Sequence, residues 1–483
     1  MSRIEDSQKD PVSKTKTPFS KPFFLGIGGS GMSSLAHILC GMGYSVSGYD
    51  GKKSDTIRIL ENEGIRIFTK ATELPDNFDY DAAIYSSAIR LETHPIAKLF
   101  REKGIAFYHR SEVLHDIFSD TNSIAVAGSH GKTTTTAMVG YILHSAGMDP
   151  SIMVGGEVAY LKGLGGNFGK GSWSVFESDE SDGTFLKHEA QVRVVTNIDD
   201  DHLDFYKTKD KLLEAFAEYI SEARQKVVLN LDDIGIKECL TLVSSKVKIE
   251  GFFQVEKMEE LNETSKISKE KQLSSLNLSA IPFLIFGGTL FFYYAGKSLQ
   301  IRSKFPGDHY LKNSLAAVLA ATQTGLSSDK AAAYVSEYTG VKRRLEYLGT
   351  KNGVEVYDDY GHHPTEVMAV LSSMSKLAGD HGRVVILFQP HRYTRTQNLY
   401  KEFAKVLDHA ELVFLLPIYS AGEDPIEGVN SSLIADSMIR KPKILSSIQK
   451  ESVSELRSEL KPGDRLVSVG AGNVRDWALE YLS

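Results

Sequence analysis

Short apolar runs alternate along this chain with longer stretches in which apolar positions recur at three- and four-residue spacing, the order expected of strands linked by helices. Phe23-Phe24-Leu25 reads as a strand, Met32 to Met42 as a helix and Tyr44 to Asp50 as a second strand, which is βαβ order. Ala82 to Tyr85 gives another strand ending in Ser86-Ser87, and a helix over Ser111 to Phe118 closes a first unit near residue 120. A second unit opens with a strand at Ser123 to Ala127 and a helix at Thr134 to Ala146, followed by strands at Ser174 to Phe176 and Val192 to Asn197. Gly307 to Thr324 has helical spacing. A third unit begins near Val341, with strands at Val354 to Tyr357, Arg383 to Phe388, Leu412 to Leu416 and Leu466 to Val469. The fold class is therefore α/β, as three units in series, with no short-period repeat of the solenoid or propeller kind.

Composition narrows the setting. The 483 residues are 42% hydrophobic and 24% charged, enough for several packed domains. A net charge of -7 offers no basic footprint for nucleic acid. Two cysteines, Cys40 and Cys239, lie far apart without metal-ligand spacing and suit a reducing compartment. Residues 1–21 are polar, lack the apolar stretch of a secretory signal and read as a disordered tail. The longest apolar run, Ile281 to Ala295, is broken by Gly287-Gly288 and is too short to cross a bilayer. It reads as a β-hairpin, and the expected location is the cytoplasm, with no membrane partner. Lys257 to Ser275 is polar and reads as an exposed insertion.

Two glycine-rich turns carry the first chemistry. Gly26-Ile27-Gly28-Gly29-Ser30-Gly31 sits between strand and helix, with Asp50 19 residues beyond Gly31. Such a turn lets backbone N–H groups approach a pyrophosphate, and the acid suits a ribose; the alternative is a turn that merely permits helix packing. Gly128-Ser129-His130-Gly131-Lys132-Thr133 is a shortened P-loop, because position 126 is Val rather than Gly. Lys132 suits β and γ phosphates as a point charge, and the Thr133 hydroxyl suits Mg²⁺.

Acidic and basic clusters follow other strands. Glu177-Ser178-Asp179-Glu180-Ser181-Asp182 and Asp199-Asp200-Asp201-His202-Leu203-Asp204 belong at the strand edge that holds the P-loop. Like charges at about 4 Å repel by roughly 4 kcal/mol at an effective dielectric of 20, so carboxylates beside a triphosphate call for a divalent cation. In the third unit Asp358-Asp359-Tyr360-Gly361-His362-His363-Pro364 and His391-Arg392-Tyr393-Thr394-Arg395 each follow a strand. Arginine forks match carboxylates, and a histidine accepts a proton near neutral pH; ordinary surface pairing is the alternative.

Taken together, the two glycine turns, Glu-Ser-Asp-Glu-Ser-Asp, Thr-Asn-Ile-Asp-Asp-Asp-His-Leu-Asp, Asp-Asp-Tyr-Gly-His-His-Pro-Thr-Glu and His-Arg-Tyr-Thr-Arg-Thr resemble the Mur ligases, from about residue 22 to 480. The resemblance implies an N-terminal Rossmann-like domain for a UDP-sugar (22–120), a central P-loop ATPase α/β domain (121–340) and a C-terminal Rossmann-like domain for an amino acid (341–483). It implies a carbon–nitrogen ligase of peptidoglycan precursor synthesis. ATP phosphorylates the lactyl carboxylate of UDP-N-acetylmuramate, and the amine of L-alanine attacks the acyl phosphate. By the same resemblance Gly28, Gly29, Ser30, Gly31, Asp50, Ser86 and Ser87 bind the UDP-sugar. Gly128, Ser129, His130, Gly131, Lys132, Thr133 and Thr134 bind ATP, with His309 and Asn313 at its adenine. Thr133 and Glu177 hold a first Mg²⁺, and His202 serves a second. Tyr360, His362, Arg392 and Arg395 form the amino acid pocket, and Lys132, Glu177, His202, His362, Arg392 and Arg395 carry catalysis.

Three positions depart from the family pattern: Tyr310 where Asn is common, Asn473 where Asp is usual, and Thr93-His94-Pro95 in place of an Asn-Pro step. A recycling branch that attaches a whole peptide carries Glu-Tyr-Asp and lacks the His-Arg-Tyr-Thr-Arg segment, so single amino acid addition is favoured. Outside the family, an NAD-dependent oxidoreductase accounts for the first turn alone, and a non-catalytic ATP switch for the second alone. The expected assembly is a monomer or weak homodimer.

Overall fold

The computed structural model describes residues 17–118, 121–244, 246–262, 276–379, 382–446 and 450–483. Most of the expected tail and residues 263–275 of the expected insertion lie outside these. The described residues fall into two compact units, one within Met1–Leu284, Leu290–Ile301 and Asn313–Tyr338, the other within Ile285–Thr289, Arg302–Lys312 and Thr339–Ser483.

The first unit begins with a five-stranded sheet of β1 (Pro22–Leu25), β2 (Ser47–Tyr49), β3 (Arg66–Phe68), β4 (Ala82–Tyr85) and β5 (Ala106–His109), in the order β3-β2-β1-β4-β5. All its pairs are parallel, so the C-terminal strand ends share one edge, where α/β sheets place ligands. Successive side chains point to opposite faces. Phe23 and Leu25 accordingly pack with Phe68 and Phe100, while Phe24 joins Leu35 and Ile84. That second core also takes in Met153, Leu164 and Phe176 of the next sheet, so the two sheets share an apolar interior. The second strand is shorter than the Tyr44 to Asp50 run suggests, because the backbone turns at Gly43, with φ at +92°, and Ser45 N–H donates to Ser20 O at 3.1 Å.

The next sheet has ten strands: β6 (Asn122–Ala127), β7 (Ser151–Val158), β8 (Leu164–Asn167), β9 (Trp173–Glu177), β10 (Val192–Val195), β11 (Lys226–Asn230), β12 (Lys248–Gln254), β13 (Leu278–Phe286), β14 (Thr289–Tyr294) and β15 (Lys297–Arg302). β6 lies at its centre, between β9 and β10 and parallel to both. The expected hairpin is β13–β14, turned by Gly287-Gly288 with φ of +56° and +72°, as the right-handed twist of a two-residue loop requires.

β7 and β8 form an antiparallel ribbon that sequence spacing does not reveal. Their glycines have a packing role. A Cβ on Gly166 would lie 2.3 Å from Ser34 O, so there the ribbon meets the helix Ser30–Gly41 backbone to backbone, while one on Gly165 would lie 2.4 Å from Val154 O of β7 and 2.6 Å from Ser34 Oγ. His37 Nδ1 sits 2.8 Å from Gly166 O across the same contact.

The second unit holds a sheet of β16 (Glu346–Lys351), β17 (Val354–Asp359), β18 (Val384–Phe388), β19 (Leu412–Leu415), β20 (Lys443–Ile444) and β21 (Arg465–Val469), ordered β16-β17-β21-β18-β19-β20. Only β16 is antiparallel to its neighbour. Val356, Val385, Leu387, Phe414 and Leu466 form its core with Trp477 and Tyr481.

Candidate active site

In the first unit both glycine turns leave the C-terminal ends of central strands. At the first, Gly26 has φ of +75° and its N–H donates to Tyr49 O at 2.8 Å. Asp50, expected at a ribose, points one oxygen at the turn itself: Gly28 N–H donates to Oδ2 at 2.9 Å, and Lys52 N–H to Oδ1 at 3.0 Å. Gly31 lies in the first turn of the helix Ser30–Gly41, with the tip of the Arg110 side chain against it. A Cβ there would lie 2.3 Å from Arg110 Nη1. Sequence reasoning missed Arg110, which nothing in its own segment marks.

An open pocket of about 70 Å³ lies beside this turn, lined by Gly28, Ser30, Ser33 and Thr56 and by Gly156 and Glu157 of β7. Thr56 Oγ1 donates to Glu157 Oε1 at 3.0 Å across its wall. Ser87 Oγ donates to Asp182 Oδ2 at 3.4 Å, while Ser86 contributes its carbonyl to Ile89 N–H.

The P-loop is stitched to β10. His130 N–H donates to Asn197 Oδ1 at 2.8 Å, and Asn197 Nδ2 and Thr196 Oγ1 donate back to His130 O at 2.8 and 2.6 Å. Ser129 N–H reaches Asn197 O, and Asp199 N–H reaches Ser129 Oγ. Gly128 and Gly131 have φ of +127° and +82°, and a Cβ on Gly128 would lie 2.3 Å from Thr196 Oγ1. Asn313 sits against Gly131, its amide atoms 3.0 and 3.1 Å from where a Cβ would stand. Thr134 is buried in the first turn of the helix Lys132–Ser145.

Lys132 Nζ donates to Gly128 O at 2.7 Å, Ser129 O at 3.3 Å and Glu180 Oε1 at 2.8 Å. Burial opposes its charge, yet the carboxylates of Glu180, Asp179 and Glu177 outweigh burial and hold the ammonium above its ordinary range. Thr133 Oγ1 donates to Glu177 Oε1 at 3.2 Å, and Gly155 N–H of β7 to Glu177 Oε2 at 2.9 Å. His202, with φ of +58°, places Nε2 3.6 Å from both Glu180 Oε1 and Asp201 Oδ2.

The acidic loop thus divides its work. Glu177 faces the P-loop hydroxyl, Glu180 faces Lys132 and His202, Asp182 faces Ser87, and Asp179 lies 3.5 Å from Arg110. Thr133 and Glu177 are hard oxygen donors 3.2 Å apart. That donor set fits Mg²⁺.

The second unit gathers its own cluster. His362 Nδ1 lies 3.2 Å from Tyr360 O, its N–H donates to Glu366 Oε2 at 2.8 Å, and its ring stands edge-on to Tyr360 at 5.6 Å. His391, quoted in the motif but not singled out, lies 5.5 Å from His362 and stacks on Tyr419 at 5.7 Å. Arg395 Nη1 is 3.3 Å from His391 Nδ1. Arg392 starts the helix Tyr393–Leu407 at φ of +70°, an uncommon conformation for a residue with a side chain. His309 packs against Tyr310, which is buried and donates its hydroxyl to Arg344 O at 3.0 Å.

Burial pushes His362 down to about 4, His391 to about 3 and His309 to about 4. The unfolded chain takes these protons near pH 6.5, whereas the folded chain takes them only nearer pH 4, so stability present above 6.5 is lost as pH falls between the two. Asp359, raised to about 6 by burial, acts in the opposite sense with one group. The melting temperature is expected to fall from pH 7 to pH 5 in calorimetry; a constant value contradicts neutral burial of these rings.

Comparison with known proteins places these clusters in context. Residues 23–121 match the Mur ligase family, catalytic domain; residues 126–321 match the Mur ligase middle domain; and residues 343–472 match the Mur ligase, glutamate ligase domain. A UDP-N-acetylmuramate–L-alanine ligase of Desulforamulus reducens is 37% identical over 95% of this chain and 96% of its own length. One from Carboxydothermus hydrogenoformans is 38% identical over 95% of each. The crystal structure of the Thermotoga maritima UDP-N-acetylmuramate-alanine ligase shares the fold with a TM-score of 0.76 at 24% identity, covering 96% of this chain and 98% of that one. With three successive domain matches and similarity along nearly its whole length, this chain belongs to the Mur ligase family.

Proposed function

We propose that this chain is an ATP-dependent ligase that joins L-alanine to the lactyl carboxylate of UDP-N-acetylmuramate through an acyl phosphate. One observation carries the reading: β7 is common to both nucleotide turns, since Gly155 binds Glu177 on the P-loop side while Gly156 and Glu157 line the pocket beside Gly28. Relatives that are 37–38% identical and carry this activity in their names support it. The described residues include no helix long and apolar enough to cross a membrane.

In this reading residues 22–120 hold the UDP-sugar, 121–340 hold ATP and 341–483 hold alanine. The turn Gly28–Gly31 and Arg110 take the pyrophosphate, with Asp50 fixing the turn and Ser86 and Ser87 flanking it. Lys132 takes the β and γ phosphates, and Asn313 and His309 serve the adenine side. Thr133 and Glu177 hold one Mg²⁺, and His202 serves a second. Bound there, Mg²⁺ neutralises the triphosphate and the charge that develops on its γ-phosphoryl group.

The carboxylate oxygen attacks the γ-phosphorus, giving acyl phosphate and ADP, and turns a poor electrophile into one with a good leaving group. The alanine nitrogen then attacks the acyl carbon, and the tetrahedral adduct expels phosphate and leaves the amide with loss of one proton. Arg392 and Arg395 grip the alanine carboxylate. His362, held neutral with its pKa near 4, serves better as a hydrogen-bond acceptor that orients the amine than as the base that removes its proton.

The test is phosphate release with ATP and UDP-N-acetylmuramate across a panel of amino acids. Alanine is expected to support the fastest release, with glycine and serine slower by the roughly tenfold that one small group is worth. Equal release with no amino acid present overturns the ligase reading and restores the ATP switch.

A further inference from the structure

Glu180 is the least accessible carboxylate of the acidic loop, with none of its side chain exposed, and neither the metal nor the phosphate assignments above require it. Its Oε1 is 2.8 Å from Lys132 Nζ and 3.6 Å from His202 Nε2, so one oxygen serves the phosphate-binding lysine and the metal-side histidine together. Its Oε2 has no hydrogen-bond partner among the described residues. The backbone is pinned as well, since Tyr206, itself buried, donates its hydroxyl to Glu180 O at 2.6 Å. A buried charge with one oxygen unsatisfied is costly, and the other carboxylates of the loop, Glu177, Asp179 and Asp182, are only half-buried.

We infer that Glu180 is a positioning residue of the phosphoryl-transfer step: a fixed carboxylate that holds the Lys132 ammonium against the P-loop and sets the His202 ring in register with it. An ammonium has three donors, and here all three are engaged, by Gly128 O, Ser129 O and Glu180 Oε1. A phosphate therefore reaches Lys132 only by exchanging with one of them. Glu180 competes with the phosphate for the same ammonium and repels it, while fixing where that ammonium stands during transfer. The two effects have opposite signs, which separates this role from a structural one.

The inference rests on the ligase reading. Its test uses the full-length protein and compares wild type with Glu180→Gln and Glu180→Asp. Readouts are ADP affinity in the presence of a metal chelator, kcat and KM for ATP, and thermal melting. Glu180→Gln keeps an acceptor for Lys132 but removes the charge, so metal-free ADP affinity is expected to rise about tenfold. kcat is expected to fall about 100-fold, the cost of a reacting group displaced by an ångström, with the melting temperature retained. Glu180→Asp withdraws the oxygen by one methylene but keeps the charge, so kcat falls without the gain in ADP affinity.

Metal-free ADP affinity that is unchanged or weaker in a folded Glu180→Gln protein overturns the proposal, as does kcat within twofold of wild type. If Glu180→Gln does not fold, Glu180→Asp decides: a kcat loss at unchanged metal-free ADP affinity upholds the proposal, and a kcat near wild type overturns it. Failure of the ligase reading is recognised separately, because the wild-type protein itself then shows no amino-acid-dependent phosphate release.

Discussion

Lys132→Ala is expected to reduce phosphate release by about a thousandfold, the scale seen when a preorganised charge is removed from a transition state. Lys132 has no understudy among the described residues that contact the P-loop carbonyls, since its Nζ alone bridges Gly128 O, Ser129 O and Glu180. The substitution also leaves Glu180 buried without its cation, which costs on the order of 3–5 kcal/mol. Loss of activity therefore needs a folding control. Melting curves supply it, and the double variant Lys132→Ala with Glu180→Gln removes the orphaned charge. Recovery of the melting temperature without recovery of phosphate release is the expected pattern. Return of release in the double variant refutes a direct role for Lys132 on the phosphates.

Arg392→Ala is expected to raise the KM for alanine by roughly 30- to 1000-fold, corresponding to about 2–4 kcal/mol for one lost partner of a charge-assisted pair. The side chain is exposed and its backbone N–H donates to Tyr419 O at 2.8 Å, a bond that alanine retains. Stability should hardly change. The left-handed φ of +70° strains alanine as it does arginine, so Arg392→Gly provides a relaxed control. Both variants should bind ADP like wild type. Initial-rate measurements over a range of alanine concentrations make the check, and an unchanged KM removes Arg392 from the amino acid pocket.

Much of this architecture was legible because its signals are local. Phe23 to Leu25, the glycines after it and the helix from Ser30 are contiguous, as are Ser123 to Ala127, the P-loop and the helix from Lys132. What escaped depends on tertiary approach. β7 and β8 carry glycines where strand propensity favours branched residues, and these make sense only beside their tertiary neighbours, Gly155 against Glu177 and Gly165 and Gly166 against Ser34. Arg110 meets Gly31 only through tertiary approach, and nothing in its own segment marks it. Within Glu177 to Asp182 the resemblance had put Glu177 with Thr133, but that Glu180 meets Lys132 depended on how the loop turned after β9. His391 stood in a quoted motif, yet its pairing with Tyr419 forms only where the ends of β18 and β19 come side by side.

The course of β7 also sets a length scale for chemistry. Gly155 is bonded to the carboxylate beside the P-loop, and Gly156 and Glu157 already line the neighbouring pocket. At about 3.3 Å per extended residue, the stretch of β7 between the two proposed ligand positions spans roughly 7 Å. A single inhibitor that occupies both needs a linker of only a few bonds, short enough to lose little freedom on binding.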